Sequence, residues 1–295
     1  MNFTPIELSH KDKINYYLKA QIIESSELTF TTMYIWRNAF NFAFAEVDDC
    51  LIIKAQDNGF PPSLRCPLGS GDKKSAVEKA CKHFLKIGEK PRFYGITENM
   101  AEALGELFAD KFIIREMEDY SDYVYKSERL INLSGKKLHS KRNHLNTFKN
   151  NYKHEYSKIT TADSKDIINA YDKWFSSDDM YLLSERGSII DILNNYDKLD
   201  LVGGKLTANG EICAFTMGEQ LNENTAVVHI EKANTDVKGA YAAINQMYVQ
   251  NEWSHIENIN REEDCGIEGL RKAKQSYYPD FMIKKYKATL KDEIL

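Results

Sequence analysis

Apolar positions between Lys11 and Ile23 recur at helical spacing, with Ile14, Tyr17, Leu18 and Ile22 on one face, and this period predicts a helix. A short helix is expected at Thr31–Asn38. Two strand-like runs follow, Asn41–Glu46 and Cys50–Lys54, with Asp48-Asp49 as their hairpin turn. Ser63–Pro67 reads as another strand. The stretch Leu68-Gly69-Ser70-Gly71-Asp72 is a loop feeding a helix in which Val77, Ala80, Cys81, Phe84 and Leu85 keep helical spacing. Strand Arg92–Ile96, helix Asn99–Phe108 and strand Phe112–Met117 close the first half.

The second half returns to the same order. Glu155–Thr160 reads as a strand, Asp163 as the N-cap of a helix to Phe175, and Ser184–Tyr196 as a helix with Ile189, Ile192, Leu193 and Tyr196 on one face. Leu199–Leu206 and Ile212–Glu219 flank Asn209-Gly210, a strong hairpin signal. Strand Thr225–Lys232, a loop at Asp236–Gly239, helix Ala240–Trp253, strand Ile256–Asn260, helix Ile267–Tyr277 and strand Phe281–Thr289 complete the chain.

Each half therefore reads helix, helix, hairpin, strand, loop, helix, strand, helix, strand. The fold class is α/β (α+β): two units in tandem, each a mixed central sheet flanked by helices, expected over residues 1–130 and 131–295. The order resembles the GNAT acyltransferase fold. There a strand, loop and helix set a helix N-terminus against the pyrophosphate of an acyl carrier. In the second half the corresponding residues are Lys238, Gly239 and Ala240.

Composition narrows the function classes. Of 295 residues, 42% are hydrophobic and 28% charged, which excludes a disordered or fibrous chain. With no apolar run near the ~18 residues of a membrane span, and no basic then apolar leader in MNFTPIELSHKDK, a soluble cytoplasmic protein is expected. Five widely spaced cysteines without a CxxC pair argue against a disulfide framework and a zinc site, so no metal is expected. A net charge of -5 argues against DNA binding.

Positive charge is instead local. No acidic residue lies between Glu128 and Glu155, whereas Arg129, Lys136, Lys137, Lys141, Arg142, Lys149 and Lys153 are basic. Leu138, Leu145, Phe148 and Tyr152 fall at helical spacing, so residues 136–152 should form an amphipathic basic helix ahead of the second unit. Lys136, Lys137, Lys141 and Arg142 are its candidate contacts to a polyanion, such as transfer RNA, a CoA nucleotide or an anionic lipid headgroup. A solvated linker helix explains the same pattern.

Polar groups also crowd the end of the apolar strand before Asn260. The carboxyl ends of strands form the ligand crevice in open α/β sheets, which makes Asn260, Glu262 and Asp264 candidates to hold an amine or hydroxyl. Gly266 and Gly269 permit close backbone approach, and Arg271 and Lys274 share a helix face that can clamp a phosphate or carboxylate. An acidic start and basic later turn also complement a helix dipole. His229 and Glu231 alternate to one face of their strand, where either can deprotonate an attacking amine; a core histidine beside a solvated glutamate is the other reading. No GxSxG, P-loop, HExxH or GxGxxG motif occurs.

Two blocks carry a resemblance. One runs Asp119-Tyr120-Ser121-Asp122-Tyr123-Val124-Tyr125 and on from Leu130 to Asn143; the other holds Asn260 through Gly266, Gly269-Leu270-Arg271, Lys274 and Ser276-Tyr277-Tyr278-Pro279. Together they resemble the soluble bacterial family built on the C-terminal domain of phosphatidylglycerol lysyltransferase, and the similarity covers nearly the whole chain. The resemblance implies a tandem GNAT fold related to Fem-type aminoacyltransferases. It implies transfer of an acyl or aminoacyl group from aminoacyl-tRNA or acyl-CoA, as donor co-substrate rather than tightly bound cofactor, to a small amine or hydroxyl acceptor. Glu262 or Glu231 would take the proton, and Tyr277 resembles in position the tyrosine that protonates the leaving group in many GNAT enzymes; a packing role explains Tyr277 equally well. A multi-spanning membrane domain like that of the lipid-modifying enzymes is not expected here, which counts against a lipid acceptor. A degenerate relative that only binds a nucleotide, tRNA or protein partner is the alternative.

Overall fold

Both expected hairpins form on left-handed turn residues. Asp48 and Asp49 have φ of 50° and 55°, and Asn209 and Gly210 have φ of 54° and 90°, the backbone that a two-residue hairpin turn requires. The computed structural model describes residues 1–57, 59–109, 111–175 and 180–291. In chain order its strands are β1 (Thr4–Pro5), β2 (Ala43–Val47), β3 (Cys50–Ala55), β4 (Ser63–Leu64), β5 (Arg92–Thr97), β6 (Phe112–Glu116) and β7 (Asp122–Lys126). They continue with β8 (His154–Lys158), β9 (Val202–Ala208), β10 (Glu211–Asn222), β11 (Thr225–Ala233), β12 (Asn258–Asn260), β13 (Phe281–Ile283) and β14 (Lys285–Leu290).

These strands build two seven-stranded mixed sheets, in the orders β1-β2-β3-β4-β5-β14-β6 and β13-β7-β12-β11-β10-β9-β8. The fold class is thus α/β with two similar units. The first comprises Met1–Asp122 and the chain from Ile283 onward, the second Tyr123–Met282. Their limits differ from a single break near residue 130 because each half ends by contributing a strand to the other sheet. The run Phe281–Thr289, expected as one strand, is two: β13 ends at Ile283 and β14 begins at Lys285 in the other sheet. Ala288 and Leu290 of β14 are buried among Phe84, Phe93, Leu104, Phe108 and Phe112 in the first core.

In the second unit, Phe148, Leu206, Val228, Ile244, Tyr248, Trp253 and Ile259 are core residues. The basic helix spans His139–Asn151, shorter than expected, and buries Leu145 and Phe148 as its apolar period requires. Asp163 is the N-cap position of the helix Ser164–Trp174, as expected, but its carboxylate caps no nitrogen of that helix; it accepts from the Thr160 backbone nitrogen at 2.8 Å and closes the capping box of the short 3-10 turn Thr161–Asp163. Among the described residues, no helix is long and apolar enough to cross a membrane.

Four charges of the first unit form one network, two of them fully buried. Lys285, wholly enclosed, sits 2.6 Å from Asp122, which is equally enclosed, and 3.2 Å from Glu27; Arg65 lies 2.8 Å from Glu27. Ser26 donates to Asp122 from both its backbone nitrogen and its hydroxyl, at 2.8 and 2.9 Å. Gly95, at φ 65°, makes room, since a Cβ there would stand 2.3 Å from Glu27 Oε2. Burial alone would raise the Glu27 carboxyl, but Lys285 and Arg65 outweigh it and lower it from 4.5 to about 2.

Lys285→Met should therefore leave Asp122 and Glu27 without their shared cation and cost about 3–5 kcal/mol in chemical denaturation; a cost under about 1 kcal/mol would show that the network is not integral. Because the folded-state value of Glu27 is depressed, its contribution is present above about 4.5 and is lost as pH falls toward about 2. Acid titration of Glu27→Gln should accordingly show a shallower loss of stability across that window than the parent protein.

Candidate active site

A β-bulge organises the site. On the β10–β11 ladder Met217 pairs with Ile230, but the next residue, Gly218, pairs with Val228, so His229 is an extra residue with no partner of its own. Gly218 is required there, because a Cβ would stand 2.1 Å from the Val227 carbonyl oxygen. The bulge breaks the alternation that would have set His229 and Glu231 on one face. Glu231 pairs with Thr216 and Val227 with Glu219, and Thr216 and Glu219 are three apart on β10, hence on opposite faces. His229 joins Glu219, while Glu231 enters a separate network.

The His229 ring is almost completely enclosed. Its Nε2 lies 2.9 Å from Glu219 Oε1 and its Nδ1 2.8 Å from Glu262 Oε1. Burial pushes the imidazole down, yet the hydrogen bonds and charges of the two carboxylates prevail and raise it from 6.5 to about 10. At neutral pH it is an imidazolium that donates from both nitrogens. A doubly bound cation cannot take a proton from substrate, so its work is to hold Glu262, whose other oxygen accepts no hydrogen bond among the described residues.

Glu262 owes its position to the loop after β12. Asn260 Oδ1 accepts from the Glu262 backbone nitrogen at 2.8 Å, a local turn that supports the left-handed φ of 59° at Glu262. Asp264, buried, accepts from the Tyr123 hydroxyl at 2.6 Å, from Gly266 nitrogen at 2.8 Å and from Arg271 through two bonds of 2.8 and 2.7 Å. The Arg271 hydrogen bonds, opposed by burial and helped by Tyr123, lower its carboxyl to about 2. Lys274, also buried, donates to the carbonyl of Arg261 at 2.5 Å and to that of Glu263. Asn260, Asp264, Arg271 and Lys274 thus shape this loop through contacts with one another and with its backbone, and the loop presents Arg261 and Glu262.

Arg261 donates from Nη2 to Glu231 Oε1 at 2.7 Å, and Asn245 donates to Glu231 Oε2 at 2.9 Å. The guanidinium lies 4.8 Å from the centroid of Tyr277 and 5.7 Å from that of Tyr125; Lys141 Nζ lies 4.2 Å from the Tyr277 centroid. Glu231 and Tyr277 therefore share one network, beside the one built on Glu262. Three members, Glu219, Arg261 and Asn245, were not singled out from sequence. Arg261 stood in plain view between Asn260 and Glu262, whereas Glu219 and Asn245 join only through the bulge and a helix contact that carry no local signal.

The loop before helix Ala240–Glu252 is differently occupied. Gly239 has φ 86°, and a Cβ on it would stand 2.1 Å from the His144 carbonyl oxygen and 3.1 Å from Phe148 Cβ. Close approach of the basic helix accounts for this glycine; Ala240 is buried and Lys238 exposed. In the basic helix, Arg142 donates to the carbonyls of Leu133 and, at 2.8 Å, Gly135, tying down the left-handed end of the preceding helix at Leu133. Lys137 lies 5.2 Å from the Tyr278 centroid, and Lys136 is exposed. Among the described residues, no group of three His, Cys, Asp or Glu side chains is arranged to hold a metal ion.

Comparison with known proteins agrees with this fold. A protein of unknown function from Bacteroides thetaiotaomicron is 36% identical over 99% of this chain and all of its own, with a TM-score of 0.91. The structure of L-PGS from Bacillus licheniformis shares the fold at 16% identity and a TM-score of 0.68, covering 96% of this chain and 93% of that one. A tandem GNAT protein from the clavulanic acid biosynthesis pathway, 9% identical, matches over 99% of both chains with a TM-score of 0.50. An uncharacterized protein of Mycoplasmoides gallisepticum is 29% identical over 175 residues, 57% of this chain and 56% of that relative. The family described as phosphatidylglycerol lysyltransferase, C-terminal, matches residues 20–289, and the chain belongs to it.

Proposed function

We propose that the second unit moves an activated acyl or aminoacyl group from a carrier, aminoacyl-tRNA or acyl-CoA, to a small amine or hydroxyl acceptor. Family and fold are transferase-like. The observation that carries the reading is Glu262: a carboxylate in left-handed backbone at the end of β12, one oxygen bound by a buried imidazolium and the other open.

In this reading the acceptor nitrogen or oxygen attacks the carrier's carbonyl carbon and its proton passes to the open oxygen of Glu262. The tetrahedral intermediate collapses with cleavage of the carrier ester or thioester bond, and the leaving oxygen or sulfur takes a proton. Tyr277 suits that last role: burial raises its hydroxyl, so it stays protonated at neutral pH. Glu231 is already bound by Arg261 and Asn245, which leaves it the weaker candidate for base. A tRNA donor would find its phosphates met by Lys136 and Lys137 on exposed positions.

Incubation with aminoacyl-tRNA and with acyl-CoA esters, each against a mixed pool of amines and alcohols, followed by product mass spectrometry, tests the reading. Glu262→Gln should lower turnover about 10²–10⁴-fold with little change in thermal midpoint, since the amide oxygen can still accept from His229. Undiminished turnover in that variant would remove Glu262 from the mechanism. Binding of a donor without any product would replace transfer by the binding-only alternative.

A further inference from the structure

The network around Glu231 has hydrogen-bonding capacity that the protein does not use. Arg261 is enclosed and gives Nη2 to Glu231, but its Nη1 is buried without a hydrogen-bond partner, as is Oδ1 of Asn245, a residue 1% exposed. Lys141, half-buried over the Tyr277 ring, has no carboxylate within ion-pair distance among the described residues. The Tyr277 hydroxyl makes no hydrogen bond among them either. Polar groups left in this state cost free energy unless something else takes them up. Two cations, Arg261 and Lys141, stand within 5 Å of one ring against a single carboxylate, Glu231, so the group carries one uncompensated positive charge.

We infer that Arg261, Lys141 and the Tyr277 hydroxyl form a binding site for a singly charged oxyanion of the ligand, a carboxylate or a phosphodiester, with Glu231 and Asn245 holding the guanidinium in place. The Lys141 amine supports this: burial, aided by the neighbouring Arg261 charge and opposed by Glu231, lowers it to about 8. An oxyanion seated beside it would raise it back toward the ordinary lysine value. The net charge of the group matches a monoanion better than a dianion, which selects against a phosphate monoester. The inference assigns a ligand subsite to the unit read above as a transferase and shares Tyr277 with that reading, but its test reads binding alone.

The test is direct titration of the full chain, with its lysines dimethylated by ¹³C-formaldehyde and the Lys141 signal assigned by its loss in Lys141→Arg. N-acetylglycine serves as the carboxylate probe, dimethyl phosphate as the phosphodiester probe and methyl phosphate as the monoester. One of the first two should shift the Lys141 signal saturably and raise its titration midpoint. By calorimetry on the unmodified chain, the better probe should bind at least about tenfold more weakly to Lys141→Met, while Glu262→Gln binds it as the parent does. Arg261→Lys guards against misfolding of harsher changes and should also weaken binding. If neither probe moves Lys141, or if both bind Lys141→Met and Arg261→Lys undiminished, the site does not exist. Stronger binding of methyl phosphate than of either monoanion would overturn the charge assignment. Oxyanion binding without any transfer activity would leave this inference standing and count against Glu262 catalysis alone.

Discussion

A cation enclosed in protein must be surrounded by opposite charge, and in this chain that requirement fixes the candidate site. His229 is displaced from the regular ladder by one extra residue in β11, which turns its ring toward Glu219 on β10 and lets the loop after β12 bring Glu262 to its other nitrogen. The two carboxylates make the imidazolium tolerable, and the imidazolium in turn fixes both carboxylates. Glu262 is then held by a hydrogen bond on one oxygen, by the Asn260 turn at its backbone, and by Lys274 gripping the carbonyls on either side. Removal of the bulge would return His229 to the alternation of the strand and dissolve this arrangement.

The first unit solves a similar problem with different chemistry. Lys285, at the start of β14, is enclosed with Asp122 and Glu27, again one cation between two carboxylates, with Arg65 completing a neutral set. Asp122 opens β7 and Lys285 opens β14, the two strands that each pass into the other sheet. The interaction therefore marks the points where the chain changes sheets. In the first unit both oxygens of each carboxylate meet a cation or a Ser26 donor; in the second, Glu262 keeps one oxygen open. That difference separates a structural network from one equipped for chemistry.

Much of this was legible in the residue order because period and turn chemistry are local. The hairpins at Asp48-Asp49 and Asn209-Gly210, the amphipathic helix carrying Leu145 and Phe148, and the repeated element order all follow from nearest-neighbour rules. The break at Lys284 and the extra residue at His229 did not show, since both depend on which distant strand is the partner. The block from Asn260 to Lys274 was recognisable as unusual, but the division of labour inside it was not. Sequence alone suggested a row of ligand contacts, whereas Asn260, Asp264 and Lys274 are buried in the service of Glu262 and Arg261. Glycines mislead in the same way: Gly239 resembled a phosphate-loop glycine, and its missing side chain admits the His144 backbone.

The claim on which the account rests is that His229 is charged at neutral pH and bound through both nitrogens. Long-range ¹H–¹⁵N correlation spectra of the ¹⁵N-labelled protein, assigned with Glu219→Gln and Glu262→Gln, report the protonation of each ring nitrogen directly. The account predicts that Nδ1 and Nε2 both remain protonated from about pH 6 to about pH 9 and that the ring titrates only near 10. A ring that loses its proton near the ordinary value of 6.5 would contradict it, for the buried group would then be neutral and could not hold two carboxylates.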